Sequence, residues 1–163
     1  MKIGVTGHQR LTDAQAWPWV KAAIDEVLRS ISGQLVGYTS LAAGADQLFA
    51  RCVLEQHGTL VAVIPFPGYE LKFSAEAERT EYDRLLSQAA SKEVLEAPPS
   101  DEEGYLRAGQ RVVNETNLML AVWEGKPSAG LGGTADIVAY AIGRGRPLVH
   151  LNPLTRSVIR HHA

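Results

Sequence analysis

What most constrains this chain is a set of short runs that are apolar at nearly every position, separated by stretches of helical periodicity. The run Leu60-Val61-Ala62-Val63-Ile64 has no polar face, and Leu118-Met119-Leu120-Ala121-Val122-Trp123 has none either. A strand solvated on one side alternates apolar and polar residues. One that does not alternate must be covered on both sides, as strands in parallel sheets are. Over 13–31, Val20, Ala23, Ile24, Val27, Leu28 and Ile31 share one helical face, with Asp13 as candidate N-cap and Ser32-Gly33 as stop. The same patterning predicts strands at 2–6, 35–39, 60–64, 92–95, 118–123 and 148–151, and helices at about 45–56, 75–90, 105–115 and 135–144. Such alternation specifies an α/β fold: a doubly wound, mainly parallel sheet of about six strands with helices on both faces.

At 163 residues, 45% of them hydrophobic and 21% charged, the chain is long and apolar enough for one self-supporting core, which excludes a disordered segment. Residues 1–163 read as a single domain, with the polar stretch 154–163 as a flexible tail. A formal charge of −2 argues against a partner held mainly by net positive charge, so a nucleic-acid partner is disfavoured. Cys52 is the one cysteine, so no intramolecular disulfide is available. The apolar run at the N-terminus is too short for a signal peptide, and no run reaches membrane-spanning length. The expectation is a cytoplasmic protein that does not engage a membrane.

In open parallel sheets, ligands sit beyond the carboxyl ends of the strands, so the loops that follow strands hold the candidate residues. Three loops stand out. In Gly4-Val5-Thr6-Gly7-His8-Gln9-Arg10, Gly7 permits a tight turn and close backbone approach, Thr6 and His8 can donate to phosphate oxygens, and Arg10 can neutralise them. The plainer reading is a tight strand exit; the segment is neither the dinucleotide-binding glycine fingerprint nor a P-loop. In Ser40-Leu41-Ala42-Ala43-Gly44-Ala45-Asp46, small residues leave backbone N–H groups uncovered at a helix N-terminus, which suits an anion. Asp46 in the first helical turn reads as a cap rather than a catalyst. In Gly130-Leu131-Gly132-Gly133-Thr134, clustered glycines at a strand-to-helix passage can form a nest of N–H groups, with the Thr134 hydroxyl as a further donor. A simple cap does not need three glycines, so the phosphate reading leads here.

These residues, in this order, resemble the SLOG superfamily of Rossmann-like nucleotide-binding domains, which includes the LOG phosphoribohydrolases and the core of DNA-processing protein A. The matching stretches are Gly4-Val5-Thr6-Gly7-His8, Ser40 to Asp46, and Gly132-Gly133-Thr134, so the resemblance spans nearly the whole chain. It implies a nucleotide or nucleotide-derived ligand, AMP-like, with its phosphate on the glycine-rich loop and the helix that follows. It also implies a homodimer, and a role either in catalysis on nucleotides or in sensing them.

The departures separate those roles. LOG enzymes carry Pro-Gly-Gly-x-Gly-Thr-x-x-Glu, and counted from Gly133-Thr134 the glutamate position falls on Ile137. Asp136 lies one residue earlier, on a different side of the helix, and the usual His-Arg of the first loop is interrupted by Gln9. The leading expectation is therefore a nucleotide-binding sensor or regulatory domain. The alternative is a phosphoribohydrolase using Asp136 or Glu124 as acid/base, and the second alternative is a DNA-binding module. Among other residues, Trp123 at a strand end is the best candidate of the three tryptophans to stack on a base, while Arg79 reads mainly as a salt-bridged helix residue, with a phosphate contact as the minority reading. Tyr69 and Phe73 suit a lid. The five histidines show no metal-ligand spacing, so no metal and no cofactor is expected.

Overall fold

The computed structural model describes residues 1–162. Its elements are β1 (Lys2–Gly7), α1 (Trp17–Arg29), β2 (Val36–Thr39), α2 (Ala45–Glu55), β3 (Thr59–Ile64), α3 (Glu76–Gln88), β4 (Ser91–Val94), α4 (Asp101–Glu115), β5 (Leu118–Val122), α5 (Thr134–Gly143), β6 (Leu148–Asn152) and β7 (Ser157–His161). Short 3-10 turns occupy Ala14–Ala16 and Tyr69–Lys72. The strands form one seven-stranded sheet in the order β4-β3-β2-β1-β5-β6-β7, with every pair parallel except β6 and β7. This is the doubly wound α/β fold expected from the alternation.

The two faces can be read from the period of two along the strands. Leu120 and Val122 of β5, with Leu60, Ala62 and Ile64 of β3, join the core under α1, α2 and α3. Their neighbours Met119, Ala121 and Val63 join a separate core under α4 and α5. Each apolar run thus serves two cores at once, which is why it carries no polar face.

Differences from the sequence expectation lie at ends and edges. Helix α4 starts a turn before the expected 105, because the Ser100 hydroxyl accepts the Glu103 N–H at 3.3 Å and Asp101, Glu102 and Glu103 favour the first turn. Asp13 caps the short 3-10 turn, accepting from Gln15, and α1 proper begins at Trp17. The largest difference is β7. The stretch expected as a polar tail turns back after Asn152 and pairs antiparallel with β6, Leu148 opposite His161 and Asn152 opposite Ser157. Its side chains are mostly exposed, so it carries little apolar pattern to announce it. Among the described residues, no helix is long and apolar enough to cross a membrane.

Candidate functional site

Strand order reverses between β1 and β5, where β1 turns toward β2 and β5 toward β6. The carboxyl ends of the two strands lie side by side, Gly7 paired with Val122 and the His8 N–H bonded to the Val122 carbonyl at 3.1 Å. A cavity of about 640 Å³ opens above this point. Its walls come from all three loops singled out in the sequence: Thr6, Gly7 and His8 from the first, Ser40, Ala42 and Asp46 from the second, and Gly130, Gly132, Gly133 and Thr134 from the third. A side chain at Gly7 would collide with Ala45 and Val122, so the close approach of β1 to α2 requires glycine there.

The loop after β2 is tied down by several bonds of its own, although among the described residues the N–H groups of Ala43, Gly44 and Asp46 meet no acceptor. The Asp46 carboxylate accepts from the Thr39 hydroxyl at 2.9 Å and the Ser40 N–H at 3.1 Å, and Thr39 Oγ1 in turn accepts the Leu41 N–H. Leu41 is fully buried at φ 57, a backbone region unfavourable for a leucine, and the Gln47 amide holds its carbonyl. At the helix N-terminus, Ala45 N–H is bonded to the His8 carbonyl and Gln47 N–H to the Ala42 carbonyl. The expectation that this turn leaves N–H groups open for an anion is therefore corrected for Ala45 and Gln47. Burial pushes the Asp46 carboxyl up to about 6, against the opposing hydrogen bonds from Thr39 and the loop backbone.

The glycine-rich loop is engaged less completely. Asp136 Oδ2 accepts the Gly132 N–H at 2.8 Å, and Ser128 Oγ accepts the Asp136 N–H at 3.3 Å, which folds the loop over the start of α5. Gly132 sits at φ 80 with its missing side chain against the α4 backbone, 2.8 Å from the Glu102 carbonyl. Among the described residues no acceptor holds the N–H groups of Gly133, Thr134 or Ala135, and all three residues line the cavity. An open helix N-terminus of this kind favours an anion or a polarised oxygen.

His8 is positioned by the same strand ends. Its Nε2 accepts the Glu124 N–H at 3.0 Å, so the neutral ring carries its proton on Nδ1. Burial lowers its pKa, with nearby Lys126 adding to the effect and Glu124 opposing it. Glu124 itself takes the Thr12 N–H and hydroxyl at 2.7 Å each. Burial pushes that carboxyl up, but the Thr12 bonds, His8 and Lys126 outweigh it, and its pKa lies below the ordinary value.

Several expected site residues lie elsewhere. Glu124 secures the segment after β1 and does not line the cavity, nor does Asp136. Arg10 pairs with Glu78, and Arg79 with Asp83 and the Glu70 carbonyl. Trp123 packs on His150, ring centroids 5.1 Å apart, with its indole N–H on the Lys126 carbonyl. Gly44 and Leu41 do not line the cavity. In the place imagined for Trp123 stands an aromatic wall that the sequence did not announce. Tyr69 sits among Phe66, Phe73, Tyr82 and Tyr105 at centroid distances of 5.4 to 6.3 Å, and Tyr69, Phe73 and Tyr105 face the cavity. Buried Tyr69 is thus a fixed part of the wall, whereas the sequence suggested a lid. The floor comes from Ala108, Gly109 and Val112 of α4, where a side chain on Gly109 would strike Ile137. Glycines inside one helix were the sequence signal for such close approaches: Gly109 lies against Ile137 and Gly104 against Phe66.

No protein-family model matches the sequence, and no curated protein matches it. Solved structures do. DNA processing protein A from Streptococcus pneumoniae superposes with a TM-score of 0.65 over 91% of this chain, at 19% identity. DNA processing protein A from Helicobacter pylori, described for its single-stranded DNA binding mode, gives 0.63 over 92% at 14% identity. The structural-genomics target TM1055 gives 0.57 over 90% at 12% identity. The chain spans about half of the Streptococcus pneumoniae protein, 64% of the Helicobacter pylori chain and 71% of TM1055. The chain therefore has the Rossmann-like fold that the SLOG resemblance implied, shared across nearly its whole length with DNA processing protein A.

Proposed function

We propose that the chain binds a nucleotide or nucleotide-derived ligand in the cavity above the β1–β5 switch point, as a sensor or regulatory domain. The observation that carries this reading is the open start of α5: the unbonded N–H groups of Gly133, Thr134 and Ala135 line a cavity whose other side is aromatic. A phosphate on those N–H groups would leave an attached base to meet the aromatic side of the same cavity, which Tyr105 and Phe73 line. The two carboxylates weighed as acid/base are already occupied: Glu124 holds Thr12, and Asp136 holds Gly132. That supports binding over N-glycosidic hydrolysis. The cavity's lining residues include no arginine and two lysines, Lys72 paired with Asp101 at 2.7 Å and Lys126 beside Glu124 at 3.8 Å, which supports a small ligand over a polyanion.

The test is a thermal-unfolding panel with AMP, ADP, ATP, cyclic nucleotides, NAD and ADP-ribose, and with a short single-stranded oligonucleotide. A ligand at about 100 times its dissociation constant adds roughly 2.7 kcal/mol, a shift of several degrees for a chain this long. The expected result is a selective shift with one mononucleotide-sized ligand that is lost in Gly133→Asp, whose added carboxylate faces the anion position. No shift with any small ligand overturns the reading. A shift with the oligonucleotide alone that fades as salt rises replaces it with a DNA-binding one.

A further inference from the structure

Charge is distributed very unevenly along this chain. Residues 1–136 hold all 18 acidic side chains, whereas residues 137–163 hold Arg144, Arg146, Arg156 and Arg160 and no acid. The fold gathers three of these arginines at one corner. Arg144 directly follows α5, Arg146 lies two residues before β6, and β6 begins at Leu148 opposite His161 of β7, one residue from Arg160. Among the described residues, Arg144, Arg146 and Arg160 make no ion pair, and the buried Arg146 Nε has no hydrogen-bond partner. This corner lies at the amino end of β6, across the sheet from the cavity.

The same corner carries an unpaired sheet edge. Among the described residues, β7 pairs with β6 on one side and with no strand on the other. Its Val158 and Ile159, on opposite faces of the sheet, are 47% and 46% exposed. The opposite edge is handled differently: β4 carries both Lys92 and Glu93, and Glu93 is paired with Arg111. Natural edge strands repel copies of themselves with charge, and β7 carries Arg160 and no acid. The same charge attracts an acidic strand.

We propose that the outer edge of β7 docks an extended acidic peptide segment as an eighth strand. Main-chain hydrogen bonds along β7 would supply affinity. Ile159 on one face would take its apolar side chains, and Arg160 on the other, with Arg144 and Arg146 at the same corner, its carboxylates, which is strand addition with charge setting specificity. A second copy of the chain is disfavoured, because pairing β7 with β7 would bring two basic corners together with no acid between them.

The test uses the full chain and a labelled peptide alternating glutamate and valine, followed by fluorescence anisotropy. Binding is expected to weaken as salt rises, and to fall on the order of tenfold in an Arg144→Glu/Arg160→Glu double variant whose melting curve shows it still folded. Methylating alternate backbone nitrogens of the peptide removes the strand hydrogen bonds while keeping its charge, so this analogue should lose binding. Equal binding by the methylated peptide or by a short oligonucleotide overturns the proposal, because the surface would then read charge without a strand. No binding of the peptide, or a dimer in solution that the double variant dissociates, overturns it as well.

Discussion

The loops after β2 and after β5 solve the same problem with different completeness. Each leads from a buried parallel strand into a helix, each uses glycine at the turn, and each has an aspartate in the first helical turn that reaches back to hold a loop N–H. In the first, Asp46 is buried, takes two donors, and lies within a set of bonds that also engages Thr39, Leu41 and Gln47. In the second, Asp136 is half-buried and takes only the Gly132 N–H, while three neighbouring N–H groups stay open. The comparison teaches that a glycine-rich strand-to-helix turn is not by itself an anion site. What matters is whether the chain has already supplied the acceptors. By that criterion the two turns differ in degree. Among the described residues, Ala43, Gly44 and Asp46 after β2 and Gly133, Thr134 and Ala135 after β5 all keep N–H groups without an acceptor. The aspartate after β2 is held by more bonds, however, and all three open N–H groups after β5 belong to residues that line the cavity.

Exchanging glycines gives the sharpest contrast between the two. Gly44 sits at φ 81, and a side chain there would lie 2.6 Å from the backbone of His8 and Gln9, which cannot yield without parting β1 from α2. Gly44→Ala should therefore cost about 3–5 kcal/mol, from a strained backbone and a backbone clash together. For a chain of this size that is a fall in melting temperature of roughly 10 °C or more. Gly130→Ala meets only the Glu102 carboxylate, at 3.1 Å, a movable side-chain end. Its cost should stay within about 1 kcal/mol. Equal losses in urea denaturation of the two variants would break the contrast.

A smaller effect tests how deeply the first loop is closed. Asp46 has its pKa raised by burial from 3.8 to about 6, so between those values the folded chain binds a proton that the unfolded chain has released. Stability from this group is therefore fully present below about pH 4 and is lost as pH rises to about 6, by at most roughly 3 kcal/mol. Carboxylates held below their ordinary values, such as Asp25 and Glu81, contribute in the opposite sense. The informative quantity is thus the stability of the wild type minus that of Asp46→Asn, measured by denaturation at several pH values. It should decline across pH 4 to 6 and be flat above. A flat difference throughout would mean that the loop admits enough water to solvate the carboxylate.

How much of this was legible in the sequence follows the physics of each signal. The buried strands were plain because burial on both faces removes every polar residue from Leu60–Ile64. β7 was missed because an exposed edge strand with Arg160 and His161 has no such pattern, and its pairing is set by the turn after Asn152 rather than by its own composition. The three loops were found by small residues after strands, and they do converge on one cavity. What composition could not convey was occupancy. Thr39 and Asp46 in one loop and Ser128 and Asp136 in the other are similar polar residues in the text of the sequence, yet the first pair is buried in a denser set of bonds than the second. Trp123 and Glu124 were misplaced for a related reason: they stand at the end of a central strand, but β5 turns them toward His150 and Thr12 and away from the cavity.

The smallest expected change in stability is also the one that most sharpens the comparison. Asp136→Asn keeps an oxygen able to accept the Gly132 N–H, so the loop geometry should survive and stability should change by less than about 1 kcal/mol. What it removes is a negative charge within the first turn of α5, next to the N–H groups of Gly133 and Thr134. If a ligand phosphate sits on those groups, it binds beside Asp136, and the two charges repel. Neutralising Asp136 should then raise affinity for a phosphate-bearing ligand severalfold, corresponding to about 1 kcal/mol, and the gain should shrink with added salt. Isothermal titration of the ligand found in the panel, against wild type and variant, measures this directly. An unchanged affinity would place the phosphate away from α5 and leave the two loops alike. A loss of turnover with unchanged affinity would instead make Asp136 the acid/base of a hydrolase. The sign of one charge effect thus separates an anion site from a catalytic one on the same four residues of loop.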